Sequence, residues 1–545
     1  MSGKSLNNFV YLKRKKIKKE EKMKTFRRIL FSSALALSSI ANMVSAADLI
    51  IGIGSEATTM DPHFYNLGPN TEITESVFDR LVHHDADINA VPGLAESWSV
   101  AEDGLTWTFN LRKGVTFHDG SSFSAKDVIF SLDRLPKVVN SPSSFEKFLR
   151  LIEDVTVLDD YTLRITAKSR SPLLLNDLEQ IAIVPASLGL KQADSYNDGS
   201  AMIGTGPYKY VDWKRGDSVE LAANADYWGE KPIWDKVTFK ALTNNTSRTS
   251  ALLAGDVDVI SFVPTVDIKR LQADERVTVQ QRAGNRLLYY HLDQQSRPSP
   301  MVRGLDGKAL AENPLANALV RKALSKAINR DVIVERIMDG AGIKASQLMA
   351  DSFLGTNPDL KPEPYDPEGA KALLAEAGYP NGFGLTVHGP NNRYPNDAKI
   401  VQATAQMLTR VGIDAKVETF PKNVYFGKAS GLEFSMMLVG SSANSVLELQ
   451  TYVLNSYNKA EGLGAVNRGR YTDAEHDQLL AEARVSLEDE KRAALLRKAS
   501  AISIGRDQAI LPVLYFVNSW ASRKGFVMHP QAGDQTRPMD ITPDS

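Results

Sequence analysis

Side-chain chemistry needs particular residue types at particular spacings, and this chain offers few such groupings. Gly52-Ile53-Gly54-Ser55-Glu56-Ala57 has the GxGxxA spacing that can bring backbone against a pyrophosphate. That use requires a helix to begin there, with its N-terminal N–H groups facing the phosphates. Pro62 would break such a helix, so the segment reads as a strand running into a loop at a domain edge. His83-His84-Asp85-Ala86-Asp87 contains metal-ligating types, but the histidines are adjacent rather than three or four residues apart. A solvated turn is the expectation there. No GxSxG, HExxH or P-loop occurs, so neither a cofactor nor a metal is expected.

Two loops are better placed for binding than for catalysis. Asn391-Asn392-Arg393-Tyr394 follows a predicted strand at Leu385–His388 and precedes a predicted helix at Asp397–Val411. Ligands of α/β sheets gather at the carboxyl ends of strands, and arginine offers a planar fork for a carboxylate. The alternative is an ordinary surface arginine. Gly440–Ser445 (GSSANS) follows a second predicted strand, Met436–Gly440, and its small polar side chains could hydrogen-bond without filling a pocket. The alternative is an ordinary polar loop.

The elements that would hold these loops are legible in outline. The first half is strand-rich: Leu49–Gly54, Thr106–Leu111 and Thr162–Ala167 carry β-branched or alternating residues. Lys126–Leu135 reads as a helix stopped before Pro136. The second half is helix-rich. Helices are predicted to open at Asn313-Pro314, Asp331 and Asp366-Pro367, with Gly340, Gly378 and Gly412 as stops. Thr472-Asp473-Ala474-Glu475 reads as a capping box. Strands between the helices, including Asp414–Thr419, imply α/β units around a sheet.

Met23–Ala46 has the grammar of an export signal. Lys24, Arg27 and Arg28 precede the short apolar stretch Ile29–Ile40, and Val44-Ser45-Ala46 supplies small residues for cleavage before Ala47. The apolar core falls short of the ~20 residues a membrane-spanning helix needs. Met1–Lys22 (with LKRKKIKKEEK) reads as an upstream extension before a true start at Met23. Without the 11 basic and 2 acidic residues of Met1–Ala46, the rest of the chain carries 53 basic and 63 acidic side chains, a net charge of −10. That balance argues against nucleic acid as a partner. The chain has no cysteine, which excludes disulfides, thiolate metal sites and a lipid anchor on cysteine. A periplasmic, unanchored protein of two or three domains is expected.

Seven segments together carry a family resemblance. They are Met60-Asp61-Pro62, Asp103–Arg134, Gly204-Thr205-Gly206-Pro207-Tyr208, Asn224-Ala225-Asp226-Tyr227-Trp228, Ala251–Val259, Val320–Asp331 and Tyr365–Gly382. In this order the chain resembles the family 5 extracellular solute-binding proteins, the dipeptide- and oligopeptide-binding components of ABC importers. The resemblance implies an α/β, bilobal periplasmic-binding-protein fold of type II. Lobe I would comprise residues 47–88, 208–284 and 512–545 with an inserted subdomain at 89–207, and lobe II residues 285–511, joined by hinge strands. It implies a monomer without catalysis, which captures a small peptide or peptide-like ligand. The ligand would pass to a permease powered by separate ATPase subunits. A secreted hydrolase is the competing class, and the missing nucleophile and metal motifs argue against it.

Carried over residue by residue, Arg393 corresponds to the arginine that pairs with a ligand carboxylate in dipeptide-binding relatives, with Asn392 and Tyr394 beside it. The segment Ser441, Ser442, Ala443 and Asn444 corresponds to one that carries an aspartate for the ligand's α-amine. Here no acid occurs before Glu448. Glu56, Thr58 and Tyr515 complete the expected set. A neutral Asn444 weakens a charge-assisted bond to an ammonium. Glutathione-like, opine, haem or nickel-chelate ligands are therefore alternatives to a free-amine peptide.

Overall fold

The computed structural model describes residues 48–544 apart from Ser143. The extension Met1–Lys22 and the export signal Met23–Ala46 lie outside those residues. Among the described residues no helix is long and apolar enough to cross a membrane.

Two strands organise the molecule. Val277–Leu292 has 16 residues and Ile510–Arg523 has 14. They run antiparallel from Val277 opposite Arg523 to His291 opposite Ile510. Each serves two neighbourhoods. At one end Trp520–Ser522 pair with Val259–Ser261, which lies parallel to Asp48–Ile53. The sheet continues through Lys236–Ala241 and Ser218–Ala223 to Tyr208–Lys214. At the other end Arg286–Leu292 pair with Met436–Ser442, and beyond it lie Gly384–Pro390 and Asp414–Phe420. Between the ends, the register shifts between Ala283 and Leu287. Such a bulge bends a strand pair and increases its twist.

The apolar run of the first long strand has a clear physical reason. Leu288, Tyr290 and Leu292 pack into one core, while Leu287 and Tyr289 pack into another. A strand's side chains alternate between faces, so a strand covered on both faces is apolar without interruption. A separate antiparallel sheet, in the order Ala95–Val100, Thr106–Leu111, Thr162–Ala167 and Ile152–Asp159, has its own core around Trp107, Phe109, Leu163 and Ile165.

Two of the motif runs converge on one buried carboxylate. Thr205 and Trp228 both donate to Asp79 Oδ2, at 2.9 and 2.7 Å, and the Tyr227 hydroxyl donates to Oδ1 at 3.2 Å. Gly204 and Gly206 lie so close to the backbone of Ser76 and Val77 that an added Cβ would meet Val77 O at 1.9 and 2.7 Å respectively. These contacts clamp the C-terminal end of helix Gly68–Val77, which carries Thr71 and Glu75 toward the site described below.

Several local expectations are corrected. Strand Met436–Ser442 runs past Gly440, because Ser441 and Ser442 find ladder partners in Leu287 and Arg286. The helix expected at Asn313-Pro314 begins only at Ala318. Asn313 caps the short turn Pro314–Ala316, and Asn317 supplies a second cap to the backbone of Leu319. Asp473, not Thr472, caps helix Ala474–Val485 by accepting from His476 N at 2.8 Å. The strand holding Gly52 runs into a loop as expected and lies in the sheet between Val259–Ser261 and Lys236–Ala241. His83 and His84 are half-buried in strand Val82–His84, so the solvated turn starts only at Asp85.

Candidate solute-binding site

A cavity of about 350 Å³ lies at the register shift of the long strands. Asn285 and Arg286 reach it from the bulge itself. Thr71 and Glu75 come from the clamped helix, Arg80 and His84 from the segment after it, and Glu179 from the end of helix Leu174–Leu178. Ser442 and Asn444 enter at the end of strand Met436–Ser442, and Gly533–Gln535 close the floor from near the C-terminus. The walls therefore come from both sides of the long strand pair.

Charge dominates this cavity. Arg80 pairs with Glu75 at 3.0 Å. Burial works to raise the Glu75 carboxyl, but Arg80, His84 and Arg537 outweigh it and hold the group below the usual range. Glu179 is treated differently by its surroundings. Burial pushes it up to about 8, with Arg80 opposing, and its Oε2 has no hydrogen-bond partner. Burial also raises Asp534, with Arg286 pulling the other way. Burial and the neighbouring Arg393 together lower Arg286. Two arginines thus repel each other at the edge of a polar cavity, an arrangement that an anionic ligand group would relieve.

These shifts give a pH dependence of stability. Burial pushes Glu72 and Glu179 up to about 8 and Asp177 up to about 7. The folded chain keeps those protons after the unfolded chain, titrating near 4, has lost them. Their contribution is complete below about 4 and is lost as pH rises through 7 to 8. His63, His84, His118, His291 and His388 are lowered chiefly by burial and act in the opposite sense, but only below about 6.5. Above that value the carboxyls act alone among these groups. The thermal midpoint of the ligand-free protein is expected to fall between pH 6.5 and 8.5. A midpoint that rises across that interval in differential scanning calorimetry would contradict the assignment.

The geometry is that of a binding cleft, and comparison with known proteins gives it a family. The family model of bacterial extracellular solute-binding proteins, family 5 Middle, matches residues 89–463. The chain belongs to this family. It is 30% identical over 393 residues to the glutathione-binding protein GsiB of Pectobacterium atrosepticum, covering 72% of this chain and 73% of the relative. It is 27% identical over 534 residues to the dipeptide-binding protein of Escherichia coli strain K12, covering 91% and 95%. Among solved structures, HbpA2 from Haemophilus parasuis aligns with a TM-score of 0.80 at 26% identity, over 91% of this chain and all of that one. The α/β architecture is the bilobal type II periplasmic-binding-protein fold.

In this solute-binding protein the expected site residues occupy unequal positions. Ser442 and Asn444 line the polar cavity. Arg393 is not among the cavity's walls; it is exposed, near enough to Arg286 to lower that group, its guanidinium 5.0 Å from the Tyr394 ring and its backbone N–H donating to Asp397 Oδ2 at 2.8 Å. Tyr394 is buried as a strut, its hydroxyl accepting from Gly440 N at 2.7 Å. Asn392 accepts from Lys422 N, Ser441 bonds the Tyr289 hydroxyl at 3.0 Å, and Ala443 O accepts from Asn285. Glu56 accepts from Gly216 N, and Thr58 N donates to Asn70. The Tyr515 hydroxyl is buried, donating to Met349 O at 2.8 Å and accepting from Gln347 N at 3.2 Å. Its ring packs in one core with Leu287, Tyr289 and Ile510.

Sequence reasoning missed Glu75, Arg80, His84, Glu179, Arg286 and Asp534. Gly284-Asn285-Arg286 within an otherwise strand-like run was the available signal for the bulge.

Proposed function

We propose that the protein captures a peptide or peptide-like solute in the polar cavity and presents it to the permease of an ABC importer. The observation that carries this reading is a charged cavity walled from both sides of a bent strand pair. Arg393, with Arg286 behind it, receives the solute's anionic group. Glu179, a buried carboxyl with one oxygen unpartnered, gives up its proton as it takes over the cationic group that neutral Asn444 cannot hold. Asn392, Tyr394, Ser441, Ser442 and Ala443 shape the cavity's edge, while Glu56 and Thr58 lie on the first lobe. Asn444 also favours a second reading, a solute without a free α-amine.

In this proposal the protein acts as a monomer, free in the periplasm after cleavage at Ala47, with no catalysis, cofactor or nucleic acid. Lobe I takes residues 47–88, 208–284 and 512–545, its insertion 89–207, and lobe II 285–511. The register shift between Ala283 and Leu287 supports a hinge at that boundary. Arg150 of the insertion donates to the Tyr452 hydroxyl at 3.4 Å, a contact that lobe opening would break. Native mass spectrometry of protein purified without refolding identifies the bound solute. Small-angle scattering is then expected to give a smaller radius of gyration with that solute than without it. Superimposable curves at saturation would remove the hinge from the mechanism.

A further inference from the structure

A second cavity, of about 620 Å³, adjoins the polar one, and Ile88 and Asn444 belong to the walls of both. Its chemistry is different. One wall is the sheet of the insertion, where Val100 lies opposite Trp107 and Trp98 opposite Phe109, so that Trp98 and Trp107 present the same face. The other wall is built by Phe353, Leu447, Leu487 and Leu496. The charged side chains of its walls are Asp87, Arg492 and the exposed edge Glu488–Glu490. Trp107 is 3% exposed, and its indole N–H has no hydrogen-bond partner. A buried donor left unpaired is costly unless something accepts from it.

We propose that this cavity is a second compartment of the same ligand site. It takes a bulky aromatic substituent of the solute whose charged end fills the polar cavity, and the Trp107 N–H donates to the face of that ring. The inference rests on the peptide-like reading above. The shared walls at Ile88 and Asn444 carry it, because they set the two cavities side by side, within reach of one extended solute. The solute is then amphipathic, with charge at one end and a large apolar group at the other. Each methylene buried in such a compartment strengthens binding by about fourfold.

The test compares Ala-Ala-Ala with its three single-phenylalanine analogues by calorimetry and tryptophan fluorescence. At least one analogue is expected to bind ten-fold or more tightly than Ala-Ala-Ala and to change the emission of the protein. Asn176→Trp, which fills the cavity from helix Leu174–Leu178, is expected to bring that ratio close to one. Leu487→Trp fills it from the opposite wall and decides the matter if the first variant does not fold. Four peptides that bind equally, or a ratio that survives filling, would overturn the second compartment and leave the peptide-like reading standing. No binding by any of the four would overturn the free-amine peptide reading and this inference with it.

Discussion

Replacing Arg393 by alanine is expected to weaken binding of the native solute by a factor of thirty or more. A charge-assisted, bidentate contact in a closed cleft is far stronger than a surface ion pair. Removing one partner of such a desolvated pair costs about 2–5 kcal/mol, much of it from the charge left unpaired. The free protein should hardly notice the change. The side chain is exposed and its contact is the face of Tyr394, while the turn is held by its backbone N–H. Arg393→Lys should recover only part of the affinity, since an ammonium cannot reproduce the fork. Arg410, exposed at the end of the following helix, is the control. Calorimetric titration of the three variants decides; equal affinities for wild type and Arg393→Ala would take Arg393 out of the site.

The largest expected loss of stability comes from Asp61→Ala. Asp61 and Arg134 are both fully buried, with Arg134 Nη1 and Nη2 donating to the two carboxylate oxygens at 2.9 and 2.6 Å. Arg134 also donates to Lys191 O at 2.9 Å and lies over the Tyr196 ring. Alanine at position 61 would strand a guanidinium in the interior. Breaking a buried pair in this way costs about 3–5 kcal/mol, whereas replacing both partners by apolar residues can be close to neutral. Asp61→Leu combined with Arg134→Met should therefore be more stable than Asp61→Ala alone in urea denaturation. The opposite order would mean that the pair's other bonds, not its charge balance, govern the site.

That pair explains why Met60-Asp61-Pro62 and the end of Asp103–Arg134 were legible as separate motifs: they are two halves of one contact. Local signals read well wherever local physics decides. Thr106–Leu111 and Thr162–Ala167 have the expected bounds because alternation with one buried face leaves a plain period of two. Asp366 caps its helix through Gly369 N as its position before Pro367 suggests. Val277–Leu292 was illegible as one strand because Gln-Gln-Arg-Ala-Gly-Asn-Arg at its bend mimics a loop. The cavity was half legible for the same reason. Arg393 and Asn444 follow strand ends, where ligands gather. Glu179, Arg286 and Asp534 are ordinary charged residues in sequence, brought together only by tertiary pairing.

The position of Ile510–Arg523 sets the order in which this molecule can be assembled. It lies between Val277–Leu292 and Val259–Ser261, so a central strand of the main sheet leaves the ribosome after every other described strand of that sheet. Arg523 reaches back to Asp258 across 265 residues. Until that strand is laid down, its neighbours are two open edges, each a template for pairing with another chain. Contacts so distant in sequence also make folding slow. A chain cut short before residue 510 is therefore not a weaker receptor. It is an aggregation-prone fragment, and quality control by proteolysis would meet it before any solute did.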